Sequence, residues 1–306
     1  MLINYSDHIN KLNDFRKGKV REALKLGHKE IDSSFRFVAG NMNFILGHNN
    51  VGKTHFTFYL MLLYSLKHNI RWLVFSSEND PVQLIKKLIE FIEGKPINKI
   101  EEKDYEESKD FVYNHFKFVD INRQYTYKQL LDLAEKVKEA WNYDGLLIDP
   151  INSLRKELKD TNGYEYNYVQ LTDIRIFCKK YNVSTWICAH AVTEALRRKH
   201  GANHEYGGMT PPPTIGDSEG GAVNGNRCDD FLICHRYIAS PDAWMYTRLY
   251  VAKVKEMSLG YKPTSHESPI LFKSILNNVG FEIGGKNLIK YRTKKQLKID
   301  NARKSI

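Results

Sequence analysis

Residues Gly47 to Thr54 read GHNNVGKT, a phosphate-binding pattern that ends in a lysine and a hydroxyl residue. In a GxxxxGKT loop the backbone N–H groups cradle the α- and β-phosphates, the lysine reaches the β/γ oxygens and the threonine hydroxyl holds Mg²⁺. The predicted nucleotide contacts are therefore Gly47, Asn49, Asn50, Val51, Gly52, Lys53, Thr54 and His55, and the cofactors are ATP or another nucleoside triphosphate with Mg²⁺. Asp149 ends the apolar run Gly145-Leu146-Leu147-Ile148 and is the natural second magnesium carboxylate beside Thr54. Glu78 follows another apolar run, where a carboxylate can orient or deprotonate the water that attacks a γ-phosphate. His190 closes a further run, at a place where an imidazole can hydrogen-bond that phosphate and report its loss to the loop beyond. Two basic loops leave neighbouring strand ends, one with Arg155, Lys156 and Lys159, the other with Arg197, Arg198 and Lys199. Together they suit a phosphate backbone.

Strands and helices must alternate to present these residues together. The strand Met42 to Leu46 precedes the loop, and an unbroken helix follows from near Lys53 through Tyr64. A second strand spans Ile70 to Ser77, and a helix runs from about Val82 to Ile92. The acidic stretch Glu101 to Asp110 reads as a solvated helix, and Phe116 to Asp120 as a short strand. Thr126 with Gln129 forms a capping-box start for a helix over Tyr127 to Ala140. The Asp149 strand leads through a polar loop to a helix over Tyr166 to Tyr181 with one apolar face, and then to the strand Val183 to His190. Residues 191–227 read as a long, aperiodic loop, of a length that is usually functional or disordered. Strands at Asp230 to His235, Tyr246 to Val254 and Pro269 to Ser274 follow as hairpins. This order predicts an α/β fold whose mostly parallel, doubly wound sheet gathers ligands at the carboxyl ends of its strands. Residues 1–34 read as an N-terminal linker with an amphipathic helix over Ser6 to Leu26. Residues 35–290 form the core, and 291–306 a basic tail.

A formal net charge of +10 points to a polyanionic partner. The N-terminus lacks an apolar leader, and no window approaches the length of a membrane span, so the expected setting is the cytoplasm of a bacterial or phage-infected cell. Cys178, Cys188, Cys228 and Cys234 lack CxxC spacing and read as reduced thiols. His200, His204, Cys228 and Cys234 are poorly spaced for zinc.

The ordered set GHNNVGKT (47–54), FSSEND (75–80), LLIDPINSL (146–154), WICAHAVTEALR (186–197) and DSEGGAVNGNRCDDFLICHR (217–236) resembles the RecA-like core of the DnaB and Twinkle-type hexameric replicative helicases, especially phage representatives. The resemblance runs from about Phe35 to Gly284. It implies a RecA-like P-loop NTPase with C-terminal antiparallel hairpin strands, in which Glu78 is the catalytic glutamate and His190 the γ-phosphate sensor. It further implies a homo-hexameric ring on single-stranded DNA, with a separate primase or loader as partner because the short N-terminal region leaves no room for a primase. Such rings fire across subunit interfaces with a Lys-x-Arg pair, and the matching residues here are Lys253 and Lys255, with Arg236 or Arg248 as compensating arginines. Lysine lacks the planar fork of arginine. The competing reading is an ATP-switched single-strand-binding filament or helicase loader that does not unwind. A regulatory subunit without turnover is disfavoured by the presence of both Glu78 and Asp149.

Overall fold

Apolar runs of five to seven residues separated by amphipathic helices build the sheet and its two covering layers. A computed structural model describes residues 5–18, 21–156 and 162–289. The N-terminal segment holds α1 (Ile9–Arg16) and α2 (Lys29–Asp32). The core then runs β1 (Met42–Gly47), α3 (Lys53–His68), β2 (Trp72–Ser76), α4 (Pro81–Glu93), α5 (Glu102–His115), β3 (Phe116–Phe118), α6 (Tyr127–Trp141), β4 (Gly145–Asp149), α7 (Gly163–Tyr181) and β5 (Ser184–His190). It continues with α8 (Thr193–Arg197), α9 (Ala222–Arg227), β6 (Asp230–His235), β7 (Tyr246–Val254), β8 (Ile270–Ser274), β9 (Phe281–Ile283) and β10 (Lys286–Asn287).

The ten strands form one sheet in the order β10-β9-β8-β7-β6-β1-β5-β4-β2-β3. The half from β6 to β3 is parallel, and β7 to β10 add antiparallel strands at the other side. Successive strand residues point to opposite faces. Ile45, Val74, Leu147 and Trp186 enter a core with α3, α4 and α5. Phe44, Leu46, Leu73 and Ile148 enter a second core with α6 and α7. Helices on both faces make the sheet doubly wound, so its inner parallel strands β1, β2 and β4 are fully buried.

Local chemistry sets the element ends. The Thr126/Gln129 capping box is present at the start of α6. Asp80 caps α4 at Val82 N, with Pro81 in the first turn. Asn69 takes a left-handed φ of 58° and closes α3 through its N–H to the Ser65 carbonyl.

Three expectations need correction. The N-terminal helix ends at Arg16 rather than Leu26, because Gly18 turns the chain at φ 78° and Leu24 pairs with Phe37. Segment 191–227 is ordered around α8 and α9 and is tied back by an Ala191–Ser218 bridge and by His200 N–H to the Met209 carbonyl at 2.9 Å. The sheet also gains β9 and β10, whose short runs follow a turn at Asn277 and Asn278, both at positive φ. Lys159 and the tail 291–306 lie outside the described residues. No helix of the described residues is long and apolar enough to cross a membrane. On α1 and the turn before it, Tyr5, Ile9, Leu12 and Phe15 form an apolar stripe with more than half of each side chain exposed.

Candidate functional site

Because β1, β2, β4, β5 and β6 are parallel, their carboxyl ends share one edge of the sheet. Gly47, Ser76, Asp149, His190 and His235 end those strands. The loop 48–52 leaves β1 and turns directly into α3, whose N-terminal N–H groups point back at the loop. The turn needs Asn50 at φ 62° and Gly52 at φ 83°. A Cβ on Gly47 would lie 2.7 Å from the Cys234 carbonyl of β6, so only glycine lets the loop leave the sheet at that distance. The backbone N–H groups of Asn50, Val51 and Gly52 meet no acceptor among the described residues and line a concave surface. A cavity of about 390 Å³ opens over it, bounded by His48, Asn50, Lys53, Thr54, Glu78 and His190.

Lys53 is buried, and its ammonium donates to the Ala189 carbonyl at 3.0 Å and approaches His190 Nδ1 at 3.2 Å. An ammonium has only hydrogens to give, so Nδ1 is the acceptor and Nε2 carries the imidazole hydrogen. Nε2 then donates to Glu78 Oε1 at 3.2 Å. One hydrogen-bonded run therefore joins the loop lysine, the strand-end histidine and the glutamate, and the half-exposed Glu78 reaches into the cavity.

Asp149 is 1% exposed. Its Oδ2 accepts from Thr54 Oγ1 at 2.9 Å and from Ser76 Oγ at 3.2 Å, while Oδ1 is buried without a hydrogen-bond partner among the described residues. A buried carboxylate oxygen left unsatisfied beside a hydroxyl is a donor set that fits a hard divalent cation. His55 packs edge-on against Phe91 at 4.7 Å, and burial depresses its pKa to about 3, so it contributes a neutral ring to the cavity wall.

Three residues of this site lie outside the set predicted from sequence. Ser76 holds Asp149 and is itself held by Asn79, whose Nδ2 donates to Ser76 Oγ at 3.1 Å. The register Ser76↔Asp149 explains it, and two adjacent polar strand ends were the available signal. His48 sits within the loop itself, buried, with its Nε2 3.1 Å from the Pro211 carbonyl. This ties the loop to the segment beyond α8, which no local pattern announces.

The basic residues separate. Arg155, Lys156, Arg197 at the end of α8, Arg198 and Lys199 are exposed on segments leaving the same sheet edge. Arg197 only grazes Glu194 at 3.9 Å, Arg198 is held by Asp217, and Lys199 donates to Thr210 at 3.0 Å. Lys253 faces Phe231 near the start of β6, away from the loop edge, and its ammonium is taken by the Gly225 and Cys228 carbonyls at 2.7 and 2.9 Å. Lys255 is 54% exposed and 3.5 Å from Asp229. Of the two arginines, Arg248 is buried over Tyr206 and Tyr237. Arg236 lies beside Gly52 of its own loop, its Nε donating to the Trp244 carbonyl.

No protein-family model and no curated protein matches the sequence. The fold is similar to the ATPase domain of G40P, with a TM-score of 0.72 at 12% identity over 92% of this chain and 99% of that one. It is also similar to a DnaB-like replicative helicase studied for its interactions with primase, with a TM-score of 0.67 at 12% identity over 92% of this chain and 67% of that one. The chain thus has the RecA-like core fold of DnaB-type ATPase domains, a mostly parallel sheet with antiparallel C-terminal strands.

Proposed function

We propose that this chain is an ATP-dependent, DnaB-like replicative DNA helicase or translocase that hydrolyses nucleoside triphosphate between subunits of a ring and moves along single-stranded DNA. The observation that carries the proposal is the run Lys53–His190–Glu78, because it joins a phosphate-binding group, a strand-end imidazole and a base in one cavity. Glu78 orients the attacking water and receives its proton, and His190 holds the glutamate on the phosphate side. Thr54 and Asp149 would hold Mg²⁺, which supplies charge neutralisation at the phosphates. His190 is followed within one residue by the segment bearing Arg197, Arg198 and Lys199, so a change at the phosphate side reaches a basic loop by a short path. Arg155, Lys156 and Lys159 on the loop after β4 would share the strand.

Lys255, just past β7, is more than half exposed although it pairs with Asp229, and it acts on a neighbour's site, whereas the hydrogen bonds of Lys253 favour a positioning role. The exposed stripe Tyr5, Ile9, Leu12 and Phe15 suits burial on a second copy and supports a homo-hexameric ring, with a separate primase or loader as a further partner.

Lys53→Ala tests the assignment: it should abolish ATP hydrolysis and unwinding of a forked duplex, and retention of both would overturn it. DNA affinity should fall steeply with salt, with Arg197→Ala reducing the log–log slope by about 0.7. A slope near zero in the unmodified protein would exclude the basic loops as the binding surface.

A further inference from the structure

We infer that the turn after β4, the first half of α7 and the turn before α9 frame a pocket for one unpaired nucleobase. The inference rests on the reading that the two basic loops bind single-stranded nucleic acid. A cavity of about 90 Å³ lies between the turn after β4, the first half of α7 and the turn before α9. Four carboxamides border it: Asn152, Asn167, Gln170 and Asn224.

Gln170 is 5% exposed, and its carboxamide makes no hydrogen bond with any described residue although it lines the cavity. Its carboxamide therefore offers both a donor and an acceptor to whatever enters the cavity. Asn167 is half-buried and makes no hydrogen bond with any described residue; its Nδ2 lies where a Cβ on Gly220 would meet it at 3.2 Å, and at this glycine φ is 101° and no side chain fills the rim. Asn224 donates to Ser218 Oγ at 2.7 Å and to the Glu219 carbonyl at 2.9 Å, which fixes the turn and leaves its Oδ1 beside Gly220. Asn152 donates to Glu219 Oε2 and so ties the first loop to the second.

The chemistry separates a base from a phosphate. A carboxamide sets a donor beside an acceptor in one plane, and so does the edge of an unpaired base. A phosphate brings acceptors alone and would leave Gln170 Oε1 unsatisfied. Leu154 and Leu171 form apolar walls that suit a ring rather than an anion, and Tyr166 adds an aromatic face. The volume equals about three waters at ~30 Å³ each, which admits the polar edge of one base while the sugar and phosphate stay outside near Lys156. Glu219, whose side chain closes one wall, also donates its backbone N–H to the His190 carbonyl at 2.9 Å, so an occupied pocket bears directly on the strand end at the nucleotide site.

Fluorescence anisotropy with the full chain, at fixed salt, compares an oligodeoxynucleotide with an abasic oligomer of equal length and charge. The unmodified protein should bind the base-bearing strand at least about fivefold more tightly. Gln170→Met should bind both strands alike, at the unmodified protein's affinity for the abasic one, with an unchanged salt slope. Asn167→Ser, at the rim, should reduce the preference in the same direction and serves if the first variant melts early. Equal binding of the two strands by the unmodified protein, or a full preference in both variants, overturns the pocket while leaving salt-dependent backbone binding intact. Absence of binding to either strand overturns the single-strand reading itself.

Discussion

Alanine at Gly47 tests whether the Cys234 carbonyl fixes the position of the phosphate-binding loop. The added Cβ would lie 2.7 Å from that oxygen and 3.2 Å from Val51 Cγ2. A carbon normally stays about 3.3 Å or more from a carbonyl oxygen, so one group must shift by about 0.6 Å. The carbonyl belongs to β6, which is paired on one side with β1 and on the other with β7, and a central strand has little freedom to yield. The loop yields instead, carrying Lys53 away from the Ala189 carbonyl. Overpacking of this kind costs about 1–3 kcal/mol. About 2 kcal/mol lowers the melting temperature of a domain this large by about 3–4 °C. Loss of a hydrogen bond from a charged donor should weaken ADP binding by about tenfold or more. Gly163→Ala is the matched control, since its Cβ would meet nothing within 4 Å and a helix start gains from alanine. Differential scanning calorimetry and titration with fluorescent ADP read both effects. Equal melting and equal ADP affinity in Gly47→Ala and the unmodified protein would refute the steric argument.

Other perturbations separate chemistry from scaffolding. Glu78→Gln should lower kcat by about 10²-fold or more and change nucleotide affinity less than about threefold, as steady-state ATPase and equilibrium binding will show. Lys253→Ala removes a cation from two carbonyls and should cost about 1.5–3 kcal/mol of stability, whereas Lys255→Ala should leave melting unchanged and lower turnover of the assembled form. Equal melting of the two variants would contradict this division. Burial raises the Asp230 pKa to about 7, with Asp229 adding and the Tyr261 hydroxyl opposing. The folded state then keeps a proton that the unfolded chain releases near pH 4, so this stability is full below pH 4 and lost as pH rises to 7. Buried His48, His55 and His235, all depressed, act in the opposite sense below about pH 6.5. The difference between Asp230→Asn and the unmodified protein isolates the aspartate. It should grow from pH 4 to pH 8, favouring the variant by up to roughly 4 kcal/mol, and a pH-independent difference in chemical unfolding would disprove it.

The gathering of Glu78, Asp149 and His190 at one edge was legible because each follows an apolar run, and parallel strands deliver their ends together. The capping box at Thr126 was legible because it is local chemistry. Ser76 escaped because its role depends on which strand lies beside β2, and strand order is a tertiary fact. His48 escaped for the same reason, its partner Pro211 lying far along the chain. The N-terminal helix was overextended because charge periodicity continues past Gly18 while the backbone does not. The strands β9 and β10 are too short to show alternation, and they form because β8 offers them an edge.

The strand that carries the nucleotide loop has no partner among its near neighbours in sequence. It pairs with β5 and β6, so residues 42–47 must wait for residues 184–190 and 230–233 before their backbone groups are satisfied. At ~5–20 residues per second, synthesis leaves that strand and the apolar face of α3 uncovered for on the order of ten seconds. Pairing at such sequence separation also slows folding once the chain is complete. Nucleotide affinity should therefore emerge late and all at once, and make ligand capture a reporter of a finished sheet rather than of a formed loop.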